Sequence, residues 1–149
     1  MTEALVIDMQ PCHARAVAEL EKVSFSSPWS EKALIDSLDK GIFLVFEKDG
    51  SVLGYAGAYS VGDEAAVTNI AVFPEYKRQG IGEALTKELI KRAALSGKKT
   101  VCLEVRVSNS PAISLYEKLG FKTAGKRRGF YSSPREDAFI MIYETEDTP

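Results

Sequence analysis

The spacing of apolar residues changes along the chain, and each change predicts an element. Ala4 to Asp8 reads as a short strand. From Pro11 to about Lys22, Ala14, Val17, Ala18 and Glu21 fall at helical intervals, and Pro11 suits a first helical turn. Phe25-Ser26-Ser27-Pro28-Trp29 keeps no period and predicts a loop. Ser30 fits an N-cap for a second helix through Leu34 and Leu38, stopped at Gly41. Phe43–Glu47 and Val52–Tyr59 flank Asp49-Gly50, a pair that a type I′ hairpin turn favours. Gly62-Asp63 turns the chain into a strand from Ala65 to Val72, which Pro74 ends.

A long amphipathic helix follows, with Ile81, Leu85, Leu89 and Ala93 as its buried stripe, Ala84 and Ile90 widening it, and Gly97 as its stop. Thr100 to Val107 alternates: Val101, Leu103, Val105 and Val107 face one way, Thr100, Cys102, Glu104 and Arg106 the other. Ser110-Pro111 reads as an N-cap with proline at the first helical position, and that helix ends at Gly120. Strands near Phe121–Lys126 and Ala138–Tyr143 close the chain. The order β-α-α-β-β-β-α-β-α-β-β predicts an α/β (α+β) fold with a mixed sheet, antiparallel at first and then crossing over once in parallel.

Composition narrows the classes. At 149 residues with 45% apolar and 27% charged residues, and with no linker or repeat, the chain reads as one domain over residues 1–149. The net charge of −2 argues against general nucleic-acid binding. The longest apolar run, Ala138 to Tyr143, is far short of the ~20 residues of a membrane helix. No secretory signal is visible at Met1–Leu5, and the acidic tail from Thr145 to Pro149 is expected to fray. Cys12 and Cys102 show no metal-ligand spacing with the single histidine, His13, so neither a metal nor a disulfide is expected and a cytoplasmic location is. His13 reads as a helix-end or surface residue, Cys102 as a small buried hydrophobe, and Lys126-Arg127-Arg128 as a solvated strand end.

The segment that carries chemistry is strand, glycine-rich basic turn, helix: Asn69-Ile70-Ala71-Val72, then Lys77-Arg78-Gln79-Gly80-Ile81-Gly82. A helix N-terminus offers unpaired N–H groups and partial positive charge, and glycines let a phosphate come close. The turn lacks the lysine pattern of a P-loop. It starts a GxGxxG dinucleotide fingerprint, but Leu85 stands where the last glycine belongs, which disfavours a nicotinamide oxidoreductase. Lys77-x-x-Gly80-x-Gly82 fits the [Q/R]-x-x-G-x-[G/A] turn that cradles the pyrophosphate of coenzyme A, with lysine at the first place.

With that turn, the helix Asn109-Ser110-Pro111-Ala112-Ile113-Ser114-Leu115-Tyr116-Glu117-Lys118-Leu119-Gly120 and the element order, nearly the whole chain resembles the GNAT family of N-acetyltransferases. The resemblance implies acetyl-CoA as co-substrate. Backbone groups of Ile70, Ala71 and Val72 would pair with its pantetheine arm, and Lys77 with residues Arg78, Gln79, Gly80, Ile81, Gly82 and Glu83 would hold the pyrophosphate. Asn109 and Ala112 would line the pantetheine, and the Tyr116 hydroxyl would lie near the coenzyme sulfur. Periodicity alone places Ala112, Leu115, Tyr116 and Leu119 on one stripe, which also suits a core tyrosine. On spacing alone Glu104 reads first as a structural carboxylate paired with Arg106 or a neighbour, and second as a base facing the cleft.

Phe25–Ser30 and Arg128-Gly129-Phe130-Tyr131 through Pro134 to Ala138 are similar to the RimI-type branch of that family, with Phe130 where the branch often has a tyrosine. The branch acetylates the N-terminal alanine of a small-subunit ribosomal protein. It implies Glu104 as general base, Tyr116 as general acid, and Trp29, Tyr131 and Glu136 on the acceptor-peptide side, with Glu136 and Asp137 equally suited to structural roles at a strand start. An α-amine is the less demanding acceptor, because freeing a lysine amine at pH 7 costs about 4–5 kcal/mol. The alternatives are another amine acceptor on the same fold or a non-catalytic coenzyme-A-binding module. The sequence leaves the oligomeric state open, and a monomer is compatible with it.

Overall fold

The structure, a computed structural model, describes residues 4–145; the acidic residues 146–149 lie outside it. Seven strands form one mixed sheet in the order β1-β2-β3-β4-β5-β7-β6. They are β1 (Ala4–Asp8), β2 (Gly41–Lys48), β3 (Ser51–Val61), β4 (Glu64–Val72), β5 (Thr100–Arg106), β6 (Lys122–Tyr131) and β7 (Glu136–Glu144). Four helices, α1 (Ala14–Ser24), α2 (Glu31–Ser37), α3 (Ile81–Leu95) and α4 (Ser110–Leu119), complete the expected order.

Strands β1 to β4 are antiparallel, and the β2–β3 turn has positive φ at both Asp49 and Gly50, as a type I′ turn requires. α3 makes the crossover to a parallel β4–β5 pair. The last two strands do not simply follow on: β7 inserts between β5 and β6, antiparallel to both. Side chains divide by face. Leu44, Leu53, Val101, Leu103, Val105 and Met141 pack with Ile81, Leu85 and Leu89 of α3 and with partly buried Ala112, Ile113, Tyr116 and Leu119 of α4. Phe43, Val45 and Tyr55 pack with Val17, Leu20 and Leu34 of α1 and α2 on the other face. Leu89 has no exposed surface, and truncating such a leucine to alanine costs about 2–5 kcal/mol.

Several element ends differ from expectation. Pro11–His13 form a 3₁₀ turn before α1. Ser30 caps α2, its Oγ accepting from Ala33 N at 3.1 Å, but the cap of α4 is Asn109 rather than Ser110. β5 stops at Arg106 because Asn109 N already turns back to Arg106 O. Lys126-Arg127-Arg128 sit within β6, not at its end. Thr145 does not fray: it is buried, with its hydroxyl donating to Lys98 O at 2.6 Å.

Candidate active site

β4 and β5 pair only at Glu64–Thr100, Ala65–Val101 and Ala66–Cys102. Beyond that point β4 continues to Val72 and β5 to Arg106 with no ladder between them, so the sheet opens like a V. The facing edges carry backbone N–H and C=O groups that no strand satisfies. Ile70, Ala71 and Val72 line one arm, held from behind by Ala56, Tyr55 and Gly54 of β3. A bulge at Thr68, between the Gly57–Asn69 and Ala58–Val67 pairs, bends β4 where the arms part.

α3 begins at the mouth of this V. Its N-cap, Gly80, has φ +80°, a left-handed conformation that glycine adopts without a steric penalty. A Cβ at Gly80 would meet nothing within 4 Å, and one at Gly82 only Val72 Cγ2 at 3.9 Å. Open space therefore stands before the free N–H groups of the helix, with Lys77, Arg78 and Gln79 exposed beside it. That arrangement fits a pyrophosphate. Ile81 is buried and the Glu83 side chain joins Lys87 at 3.2 Å and Lys118 at 3.0 Å, so these two have only backbone to offer an anion. The Glu83–Lys118 pair also ties α3 to α4. Ala112 and Tyr116 lie on the face of α4 that packs toward the core, with Ile113 there in place of the expected Leu115. The Asn109 side chain is engaged as cap, accepting from Ala112 N at 3.3 Å.

Burial, and then neighbouring ionisable groups, perturb several side chains of the candidate set. Tyr116, packed against Phe121 at 5.5 Å, has its phenol pushed up to about 12 by burial and then by Tyr131. Tyr131 is raised by burial and then by the Glu104 carboxylate. Glu104 pairs with Arg127 at 3.4 Å, not with Arg106. Cys102, on the same strand face, has its thiol raised to about 11 by burial first and then by Glu64 and Glu104, so it remains an un-ionised thiol at neutral pH.

The acceptor-side candidates fall on two walls. Trp29 is half-buried against Tyr59, ring centroids 5.9 Å apart, and its backbone N–H donates to Glu21 Oε1 at 2.9 Å. On the other wall, Arg106 lies 4.4 Å over the Tyr131 ring and donates to Pro134 O at 3.0 Å and Glu136 Oε1 at 3.1 Å. Glu136 also accepts from Ser108 N at 2.8 Å, and these donors, Ser108 first, hold its carboxyl below the usual range. Asp137 accepts from Gly129 N. Both acids are thus engaged in shaping the β6–β7 loop. His13 is buried rather than exposed: Nδ1 accepts from Gln10 N, and Nε2 faces Glu47 at 3.2 Å.

Sequence reasoning passed over the roles of Glu21 and Arg106. Glu21 was legible in one respect: it is a carboxylate on the apolar stripe of α1. A concavity of about 830 Å³ lies elsewhere, between Asp8, Leu38, Phe43 and Arg92, and holds none of these groups. Among the described residues no cluster of His, Cys, Asp or Glu could hold a metal, and no helix is long and apolar enough to cross a membrane.

Comparison with known proteins bears on the family and the fold. Residues 14–121 match the model of the acetyltransferase (GNAT) family. An Escherichia coli K12 protein named [ribosomal protein bS18]-alanine N-acetyltransferase is 42% identical over 130 residues, which are 85% of this chain and 87% of the relative. The crystal structure of the Escherichia coli ribosomal-protein-S18-alanine N-acetyltransferase superposes with TM-score 0.90 at 35% identity, covering 99% and 97% of the two chains. A Salmonella typhimurium protein solved with acetyl-CoA as its cofactor shares the fold, with TM-score 0.81 at 18% identity over 99% and 96% of the chains.

Proposed function

The chain belongs to the GNAT acetyltransferase family and is an N-acetyltransferase; from that premise we propose that it carries acetyl from acetyl-CoA to the α-amine of an N-terminal alanine on a ribosomal protein. The observation that carries this is the fork of β4 and β5, with the open start of α3 at its mouth and Glu104 on the β5 arm. The free edge of β4 from Ile70 to Val72 pairs with the pantetheine arm, and the α3 N-terminus from Arg78 to Gly82 receives the pyrophosphate. Trp29 and Tyr131 flank the acceptor peptide, and Glu136 shapes its wall.

The amine attacks the thioester carbonyl directly. Glu104 takes the amine's proton through a water, and Tyr116 gives its proton to the departing sulfur. A phenol near 12 stays protonated throughout the neutral range, as a donor must. The α-amine, with a pKa of about 7.7–8.0, is partly neutral at pH 7 and asks little of the base. Work on ribosomal proteins would place the enzyme, as one domain, in the cytoplasm.

The test is acetyl-CoA turnover with peptides differing only in the first residue. Preference for the alanine peptide with a ribosomal sequence is the expected result. Equal turnover with lysine, polyamine or small-molecule amines would move the acceptor to another class.

A further inference from the structure

Glu21 has no exposed surface, yet no lysine, arginine or histidine among the described residues lies within salt-bridge distance of it. Three neutral groups hold its carboxylate instead. Trp29 N donates to Oε1 at 2.9 Å, Asn69 Nδ2 donates to Oε2 at 2.8 Å, and the Tyr55 hydroxyl makes a short bond to Oε2. Burial first, and then the neighbouring Glu21 carboxyl, hold the Tyr55 phenol far above its ordinary value. A buried carboxyl group with no cation beside it is a poor source of stability compared with an apolar side chain of similar size. What this one supplies is geometry. Its donors come from the α1–α2 loop, from the middle of β3 and from β4 beside the Thr68 bulge.

We propose that Glu21 is a positioning residue that fixes the Trp29 loop, one wall of the acceptor site, to the acetyl-CoA strand at Asn69. This rests on the reading of that loop as an acceptor wall. The two ends of the linkage are not equally firm. β4 is held along its length by the ladder to β3. The loop between α1 and α2 is otherwise tied by Phe25 N to Glu21 O and by the partial packing of Phe25 and Trp29 against the core, the Trp29 ring lying against Tyr59. Loss of the carboxylate therefore frees the loop and leaves the strand in place. A glutamine at this position keeps one acceptor oxygen but turns an NH₂ group toward Asn69 and Tyr55.

Trp29 is the single tryptophan of the chain, so its fluorescence reports the loop without any acceptor. In Glu21→Gln, the Trp29 emission should shift to the red and its acrylamide quenching should rise about twofold. The KM for the acceptor peptide should rise about tenfold, while acetyl-CoA affinity by calorimetry stays within twofold. Tyr55→Phe keeps the ring in the core and removes one donor; it should move the same readouts in the same direction by about two- to threefold, even if Glu21→Gln does not fold. Unchanged Trp29 fluorescence, or changed fluorescence with an unchanged acceptor KM, overturns the proposal. A parallel loss of acetyl-CoA affinity also overturns it, because the strand would then have moved. The wild type's choice of peptide tests the proposed function, whereas the variant-to-wild-type ratio tests this linkage with whichever amine the wild type accepts.

Discussion

On the α3 side of the sheet the candidate site is made largely of main chain: the unpaired edge of β4 and the first N–H groups of a helix capped by Gly80. On the α1 side it is made of side chains that reach far along the sequence. Glu21 bonds Asn69, 48 residues away, and Arg106 bonds Pro134 and Glu136, 28 and 30 residues away. The first construction needs a short local pattern, glycines and a strand–helix junction. The second needs the whole fold before its parts meet. Cofactor binding should therefore tolerate most side-chain changes, and acceptor binding should be sensitive to single residues remote from the acceptor itself.

The proposed chemistry sits where the two constructions join, and substitutions there should have the largest effects. Glu104→Gln should lower kcat about 10²–10⁴-fold, the usual worth of a positioned general base. The deficit should deepen as pH falls from 8 to 6, because the variant relies on the shrinking fraction of free α-amine. A pH–rate profile parallel to the wild type's would put the base elsewhere. Tyr116→Phe should lower kcat about 10–100-fold and leave acetyl-CoA affinity, measured by calorimetry, nearly intact. With the phenol raised to about 12, wild-type kcat should show no alkaline limb from this group below pH 9.

How much of this was legible in the sequence follows the same division. The elements and their order were read from period, caps and turn residues, and the Lys77–Gly82 turn from six adjacent residues, because each depends on neighbours in the chain. The insertion of β7 between β5 and β6 was not, since no local pattern records which edge a strand joins. Glu104 was found because alternation gives the face of a strand, but its partner Arg127 was not, because register between β5, β7 and β6 sets that meeting. Arg106 looked like one more polar strand residue. Its role appears only when β5 ends beside the β6–β7 loop.

Arg106→Ala should break the acceptor side without touching the cofactor side. It removes the cation over Tyr131 and the bonds to Pro134 and Glu136, leaving that loop held mainly by Glu136 and Ser108 N. The acceptor KM should rise about tenfold, from loss of one charge-assisted hydrogen-bonded group. Arg106→Lys should recover little, since an ammonium cannot supply the planar fork. Steady-state kinetics with each substrate varied in turn separates the two sides. A matching rise in the acetyl-CoA KM would mean that the sides are not independent.

Lys77→Ala should have the smallest effect, and its smallness sharpens the contrast. Lys77 is exposed, so its attraction for the coenzyme phosphates acts through water and is worth about 0.3–1 kcal/mol, a two- to fivefold change in acetyl-CoA Kd. At 0.5 M salt the wild-type and variant affinities should converge, because screening over less than about 8 Å removes what the charge contributes. The main-chain N–H groups at Gly80–Gly82 remain in both proteins and are little affected by salt. A loss of a hundredfold, persisting at high salt, would mean that Lys77 bonds the phosphate directly and that the cofactor side, too, depends on a side chain.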